Sequence, residues 1–128
     1  MKIELKHLTP YLPYGLKALA QGEDKKVFDI QGITDLTDVD LHEKDRTVNE
    51  QFDIEDVFPI LRPLIDLTKE EIDSFSVYPR MALRKNLYSK EILTRLSYYE
   101  YEFLIKNHFD IFNIIENNLA IDINTLKL

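Results

Sequence analysis

The sequence predicts a single α+β domain over residues 1–128, in which a small antiparallel sheet from the N-terminal half packs against short helices from the C-terminal half. Three observations lead to this fold class. Apolar and polar residues alternate in several short segments before residue 53, a pattern typical of half-buried strands. Beyond residue 53, helix-capping sequences precede apolar residues at three- and four-residue spacing. The length of 128 residues, with 45% hydrophobic residues, suits one core.

Three to four short strands account for the predicted sheet. Residues 15–20 (GLKALA) and 27–33 form a hairpin across the turn at 21–24. Val39 and Leu41 alternate with polar residues, and a further alternating segment ends at Phe52. Such a sheet has one apolar face, so we expect helices to cover it.

Two prolines interrupt the apolar segment at the N-terminus. Pro10 and Pro13 exclude a continuous helix there. We therefore expect a short lead followed by a proline-rich loop that presents Tyr11 and Tyr14. Tyrosine rings of this kind, like those of Tyr98, Tyr99 and Tyr101, suit contact with another protein; the alternative is that most of these rings are core.

The covering helices are predicted from residue 53 onward. Asp53 or Asp56 can cap a first helix through the apolar residues up to Leu67, and Pro63 keeps that helix short or bent. Residues 68–71 (TKEE) form a capping box for a second helix. The segment 76–88 is a loop or an irregular strand, after which Ser89 can cap another helix.

The last third of the chain has the highest density of apolar residues. Residues 97–100 (SYYE) form a capping box, and an apolar stripe at helical spacing follows it. Asp110 can cap a second short helix. Leu119, Ile121 and Ile123 then alternate with polar or small residues, which predicts a short strand or an extended tail. We expect the residues beyond 97 to cover the apolar face of the sheet.

Three segments carry a resemblance to a known family: residues 7–17 (HLTPYLPYGLK), 52–70 (FDIEDVFPILRPLIDLTKE) and 108–126 (HFDIFNIIENNLAIDINTL). They resemble a family of small hypothetical proteins from phages and prophages of Bacteroidetes. That family often has a glycine before its Leu-Ala-Ile-Asp run, where this chain has Asn118, which also tolerates a left-handed conformation. The resemblance implies a phage or prophage origin and a bacterial cytoplasmic setting. It implies no catalytic residue and no mechanism.

The composition excludes several classes of protein. Without cysteine there is no disulfide framework, thiol nucleophile, zinc finger or iron–sulfur site. Glu4, Lys6 and two prolines interrupt the N-terminal segment, so we expect no signal peptide, and no apolar run approaches the roughly 20 residues of a membrane helix. We expect a soluble, cytoplasmic protein with no membrane partner.

The net charge of −7 is distributed unevenly along the chain. Residues 23–74 hold 16 acidic and 6 basic residues, a net charge of −10, whereas residues 75–95 hold 5 basic residues and 1 acidic residue, a net charge of +4. Charge runs usually form solvated faces. The alternative is that the acidic and basic segments pair, either within the domain or between copies in a homo-oligomer.

The densest group of hard oxygen ligands lies between Asp35 and Asp45. Asp38, Asp40 and His42 are its weak metal candidates, because a divalent cation suits such ligands. The spacing lacks the glycine and the final glutamate of a calcium loop, and ordinary alternation places these side chains on one solvated face of a strand. We therefore predict no metal site and no cofactor, with a metal site as the alternative.

No motif for catalysis is present. His7, His42 and His108 are far apart in sequence, and we expect His108 to donate to a backbone carbonyl or a carboxylate. There is no nucleophile elbow, and three glycines leave little room for a phosphate-binding loop. We predict no catalytic or cofactor-binding residue, and an enzyme is the minority interpretation.

The basic segment offers a candidate contact surface. Arg80, Arg84 and Lys85 lie among tyrosines that could stack on bases, but the overall acidic charge disfavours nucleic acid. The leading hypothesis is a non-enzymatic interaction or assembly protein of phage or prophage origin, whose protein partner is unknown and could be a second copy. Its candidate contact residues are Tyr11, Tyr14, Arg80, Arg84 and Lys85. The alternatives are a small divalent-metal-dependent enzyme that uses the acidic cluster, and an acidic DNA-mimic inhibitor.

Overall fold

A mixed six-stranded sheet is the central element of the structure, a computed structural model that describes residues 2–22, 26–34, 38–43, 49–76, 79–80 and 95–126. The strands are β1 (Lys17–Ala20), β2 (Phe28–Ile33), β3 (Asp38–Glu43), β4 (Asn49–Asp53), β5 (Val57–Leu61) and β6 (Ile121–Asp122). Their order is β4-β3-β2-β1-β5-β6. The first five strands pair antiparallel, and β6 joins β5 in parallel. The α+β fold class is therefore confirmed, with a parallel edge that the sequence did not predict.

The strands predicted in the N-terminal half are present. β1 and β2 form the expected hairpin, in which Ala18 lies opposite Phe28. β3 and β4 pair from Asp38 opposite Asp53 to His42 opposite Asn49. Burial alternates along β3 as the pattern requires, because Val39 and Leu41 are fully buried while their neighbours are half-buried.

The prediction of a helix from residue 53 is wrong. Asp53 does cap a turn, the 3₁₀ helix Ile54–Asp56, but residues 57–61 (VFPIL) then form β5 beside β1. A continuous apolar run of this length is the pattern of a strand covered on both faces. The Gln21 N–H donates to the carbonyl oxygen of Asp56 at 2.8 Å, so positions 21 and 56 form a hydrogen-bonded pair. Because such pairs alternate along antiparallel strands, the nitrogen of Pro59, which lies opposite Ala18, is at a position that does not donate to β1. Proline is therefore tolerated there.

The helices of the described residues are short, and both predicted capping boxes are confirmed. Thr68 and Glu71 cap the helix Lys69–Asp73 reciprocally, and Ser97 and Glu100 cap the helix Tyr98–Lys106 in the same way. The helix predicted from Ser89 lies outside the described residues. The helices are α1 (Leu5–Leu8), α2 (Lys69–Asp73) and α3 (Tyr98–Lys106), with 3₁₀ helices at Thr9–Tyr14, Ile54–Asp56, Leu64–Asp66 and Ile123–Thr125.

Asp110 caps a series of turns in place of the second helix that we predicted. Its carboxylate accepts from the N–H groups of Phe112, Ile114 and Ile115 at 3.2, 3.1 and 2.9 Å. Burial raises the pKa of Asp110, although these hydrogen bonds oppose the shift. Asn118 ends the turns at φ 60°, so the left-handed conformation expected at this position is confirmed.

The N-terminal prolines form a 3₁₀ helix where we expected an extended loop. Pro10 occupies its first turn, where a missing N–H costs nothing, and Gly15 ends it at φ 70° before β1 begins. The expectation that this segment presents Tyr11 is also wrong, because Tyr11 is 0% exposed. Its hydroxyl donates to the carbonyl oxygen of Phe109 at 2.6 Å and anchors the 3₁₀ helix in the core.

The residues after 97 cover the inner face of the sheet, as predicted. Leu104, Ile105, Phe109, Ile111 and Ile114 are at most 2% exposed. They join the side chains that β1, β2, β3 and β5 bury on one face in a single core cluster. Burial at this scale is the main stabilisation of such a domain.

Candidate functional site

The weak metal candidates lie on the outer face of the sheet, as alternation predicted. Asp38, Asp40 and His42 are half-buried on β3, with His42 opposite Asp29 of β2 and Asp38 opposite Asp53 of β4. Asp35 and Asp45 lie outside the described residues. Within the described ranges, no group of three or more His, Cys, Asp or Glu side chains is arranged to hold a metal ion. We call Asp29, Asp38, Asp40 and Asp53 the acidic face.

His108 has the structural role that the sequence predicted. Its Nε2 lies 2.7 Å from the carbonyl oxygen of Tyr14, and since a carbonyl oxygen only accepts, Nε2 carries the proton. The residue adopts φ 62°, a left-handed conformation that is uncommon outside glycine. His108 thus ties the end of the Thr9–Tyr14 helix to the turn after α3.

His7 is buried, and its hydrogen bond is one that a neutral imidazole makes. Its Nδ1 accepts from the Glu4 N–H at 2.9 Å, and its ring packs edge-on against Phe112 at a centroid distance of 5.4 Å. Burial, followed by the charge of Lys6, lowers the pKa of His7. These contacts place His7 in the N-terminal cap of α1.

Two tyrosines at the start of α3 are the most exposed large hydrophobic side chains in the described part of the chain. Tyr98 is 71% exposed and Tyr99 is 81% exposed, and their rings meet edge-to-face at a centroid distance of 5.8 Å. The nearby Glu102 carboxylate raises the pKa of Tyr98, as does the Tyr14 hydroxyl to a smaller extent. Tyr14 is half-buried on the 3₁₀ helix that packs against α3. We call Tyr14, Tyr98 and Tyr99 the tyrosine surface.

The tyrosine surface stands on a fixed helix terminus. The Glu100 carboxylate accepts from the backbone N–H groups of Ser97 and Ser76, so it both caps α3 and ties it to the end of the α2 region. Burial raises the pKa of Glu100, but these hydrogen bonds outweigh burial and lower it overall. Tyr14 is the predicted contact residue that the structure brings into this surface.

Of the predicted basic contact residues, the structure describes Arg80. Arg80 is half-buried, and its N–H donates to Ser76 at 3.0 Å. Arg84 and Lys85 lie outside the described residues. Arg95, at the end of the same basic segment, is exposed two residues before the cap of α3.

A pocket of about 420 Å³ lies on the outer face of the sheet at the β1–β5–β6 end. Its apolar walls are Val27, Ile60, Ile123 and Leu126, and Lys17 and Arg62 bring positive charge to it. The sequence did not predict this site, because its residues come from separate segments of the chain.

Comparisons with known proteins do not add to this geometry. No protein-family model matches the chain, and neither a curated protein nor a solved structure matches it. Among the described helices, none has the length and apolar character needed to cross a membrane.

Proposed function

We propose that this chain is a non-enzymatic assembly protein of phage or prophage origin that acts in the bacterial cytoplasm by binding further copies of itself. The origin and setting rest on the resemblance of three sequence segments. The assembly function rests on one observation, which is the exposure of Tyr98 and Tyr99 side by side on a capped helix end.

Exposed tyrosines of this kind favour protein contact over solvation alone. Each ring offers a large rigid area with a polar tip, and ordering it on binding costs little side-chain entropy. The capping box of Ser97 and Glu100 already fixes the backbone beneath the rings, which lowers the cost of association further.

The charge distribution supports a second copy as the partner. The segment 75–95, with a net charge of +4, leads directly into α3, so that exposed Arg95 adjoins Tyr98 and Tyr99 in the chain. The acidic face lies on β2, β3 and β4, within a region whose net charge is −10. Basic residues that adjoin the tyrosine surface in sequence, together with a separate acidic face, suit a head-to-tail contact, in which the tyrosine surface of one copy meets the acidic face of the next.

Sedimentation equilibrium of the full chain tests the proposal. At about 0.05 M salt we expect a mass above the 15.2 kDa of one chain, and at about 0.5 M salt a shift toward that mass, because charge pairs at the contact are screened. The double variant Tyr98→Ser with Tyr99→Ser is expected to weaken association at both salt concentrations.

Ile65→Ser is the matched control, since Ile65 is 68% exposed on the separate 3₁₀ helix Leu64–Asp66. It should associate like the unmodified chain. A mass of 15.2 kDa at every concentration, or equal association of the double variant and the unmodified chain, would rule out the proposed contact.

A further inference from the structure

The pocket on the outer face is separate from the main core. Ile60 is only 7% exposed, yet it does not belong to the core cluster that the inner face of the sheet forms. Its side chain is covered instead at the pocket, where Ile123 and Leu126 of the C-terminal segment and Val27 before β2 complete an apolar wall. The pocket volume of about 420 Å³ lies in the range of small-molecule sites.

Arg62 is held in place at the wall of this pocket. Its Cζ lies 4.1 Å from the centroid of the Phe109 ring, a cation–π contact that fixes the guanidinium. Its backbone is held on both sides, because the Arg62 N–H donates to His108 and the Asp110 N–H donates to Arg62, each at 2.8 Å. A guanidinium positioned in this way offers paired donors to a carboxylate or phosphate and loses little side-chain entropy on binding.

Lys17 supplies a second, more adaptable positive charge. Its Nζ lies 3.9 Å from the Asp29 carboxylate, and both side chains are largely exposed, at 61% and 42%. An exposed pair at that distance is weak, so Lys17 can turn toward an anion in the pocket. The overall charge of −7 opposes an anion at long range, but salt screens that repulsion beyond roughly 8 Å.

We propose that this pocket binds an anionic head group carried on a single unbranched alkyl chain. The chain would lie against Val27, Ile60 and Ile123, and the head group would accept from Arg62 and Lys17. This ligand class matches both features of the pocket, an apolar wall and two cations. The site shares no residue with the tyrosine surface or with the acidic face, although Asp29 of the acidic face lies 3.9 Å from Lys17.

Calorimetric titration with decanoate, kept below the concentration at which it forms micelles, tests the site. We expect saturable binding of one decanoate per chain, and weaker or no binding of decanol and decylammonium, which have the same chain length. Decyl phosphate is the second anion. Binding of both anions would indicate a site for any anionic head group, and binding of decanoate alone would indicate a carboxylate-selective site; both results support the proposed ligand class.

Arg62→Gln and Lys17→Gln should each weaken decanoate binding, by about tenfold for Arg62, because a charge-assisted hydrogen bond is lost. Lys106→Gln removes an exposed charge at the end of α3 and should leave binding unchanged. Because Arg62→Gln also removes the contact with Phe109, Ile123→Trp provides a second variant that fills the pocket without removing a charge, and it should abolish binding. The absence of saturable heat, equal affinities for decanoate, decanol and decylammonium, or unchanged binding in both Lys17→Gln and Ile123→Trp would overturn the proposal.

Discussion

The hydroxyl of Tyr11 donates to the carbonyl oxygen of Phe109 at 2.6 Å, joining residues that are 98 positions apart in the chain. The same hydroxyl accepts from the Ile111 N–H at 3.3 Å. All three residues are fully buried, so these bonds satisfy polar groups that water does not reach. One side chain thereby joins the N-terminal 3₁₀ helix to the segment that covers the inner face of the sheet.

Tyr11→Phe should therefore destabilise the fold. The change leaves the Phe109 carbonyl and the Ile111 N–H without the hydroxyl, which should lower the free energy of unfolding by about 1–3 kcal/mol. Urea denaturation followed by circular dichroism measures the loss. Tyr99→Phe is the matched control and should stay within about 0.5 kcal/mol of the unmodified chain, because Tyr99 is 81% exposed. Equal midpoints for the two variants would contradict this account of Tyr11.

The sequence predicted the parts of this fold that depend on local pattern. Alternation located β1 to β4, and the capping boxes located α2 and α3, because each signal lies within a few neighbouring residues. It did not predict β5, since the run at 57–61 is a strand because β1 pairs with one of its edges and β6 pairs with the other. Tertiary contacts, and not local pattern, therefore determine that these residues form a strand.

The candidate sites follow the same division. The sequence identified the tyrosines beside Ser97 and the acids on β3, but it placed Tyr11 on the surface, because the residue that fixes it in the core is 98 positions away. The pocket was not predictable, since Lys17, Arg62 and Ile123 meet only after β1, β5 and the C-terminal segment assemble. Sites built across distant segments leave no spacing to recognise.

His7 should make stability depend on pH near neutrality. Because the pKa of His7 is lower in the folded protein, the unfolded chain binds the proton at a higher pH than the folded chain does. The contribution of neutral His7 to stability is therefore complete above the unfolded pKa of 6.5, and it is lost as the pH falls through the lower pKa of the folded protein. We expect the free energy of unfolding to fall between about pH 7.5 and pH 5.5. In His7→Gln the fall should be smaller, because glutamine at this position still accepts from the Glu4 N–H but does not titrate. Parallel pH profiles for the two proteins would show that His7 has no such role.

Glu100 should contribute more to stability than an ordinary surface acid. Its carboxylate accepts from the Ser97 and Ser76 N–H groups, so Glu100→Ala should cost about 1–3 kcal/mol at neutral pH. Because these bonds lower its pKa below 4.5, the contribution should disappear as pH falls through the folded value. Chemical denaturation at neutral and acidic pH measures both effects. Glu70→Ala, an exposed acid in the first turn of α2, is the control, and an equal cost for both variants would argue against the network.

The acidic face should not bind a metal ion specifically. Titration calorimetry with Mg²⁺, Mn²⁺ and Ca²⁺ should give no saturable heat, since alternation alone accounts for Asp38, Asp40 and His42 sharing one face of β3. The double variant Asp38→Ala with Asp40→Ala should behave like the unmodified chain. Saturable binding that this variant abolishes would favour the metal-dependent enzyme instead.

Site-directed crosslinking tests the assembly proposal most directly. The chain has no cysteine, so Tyr99→Cys and the control Ile65→Cys can each carry a single benzophenone group. Mixing copies that differ in isotope label distinguishes crosslinks between chains from those within one chain. The account predicts that the group at position 99 crosslinks to residues 38–53 of the other copy and that the group at position 65 does not. Crosslinks from position 99 that stay within its own chain, or that match those from position 65, would contradict it.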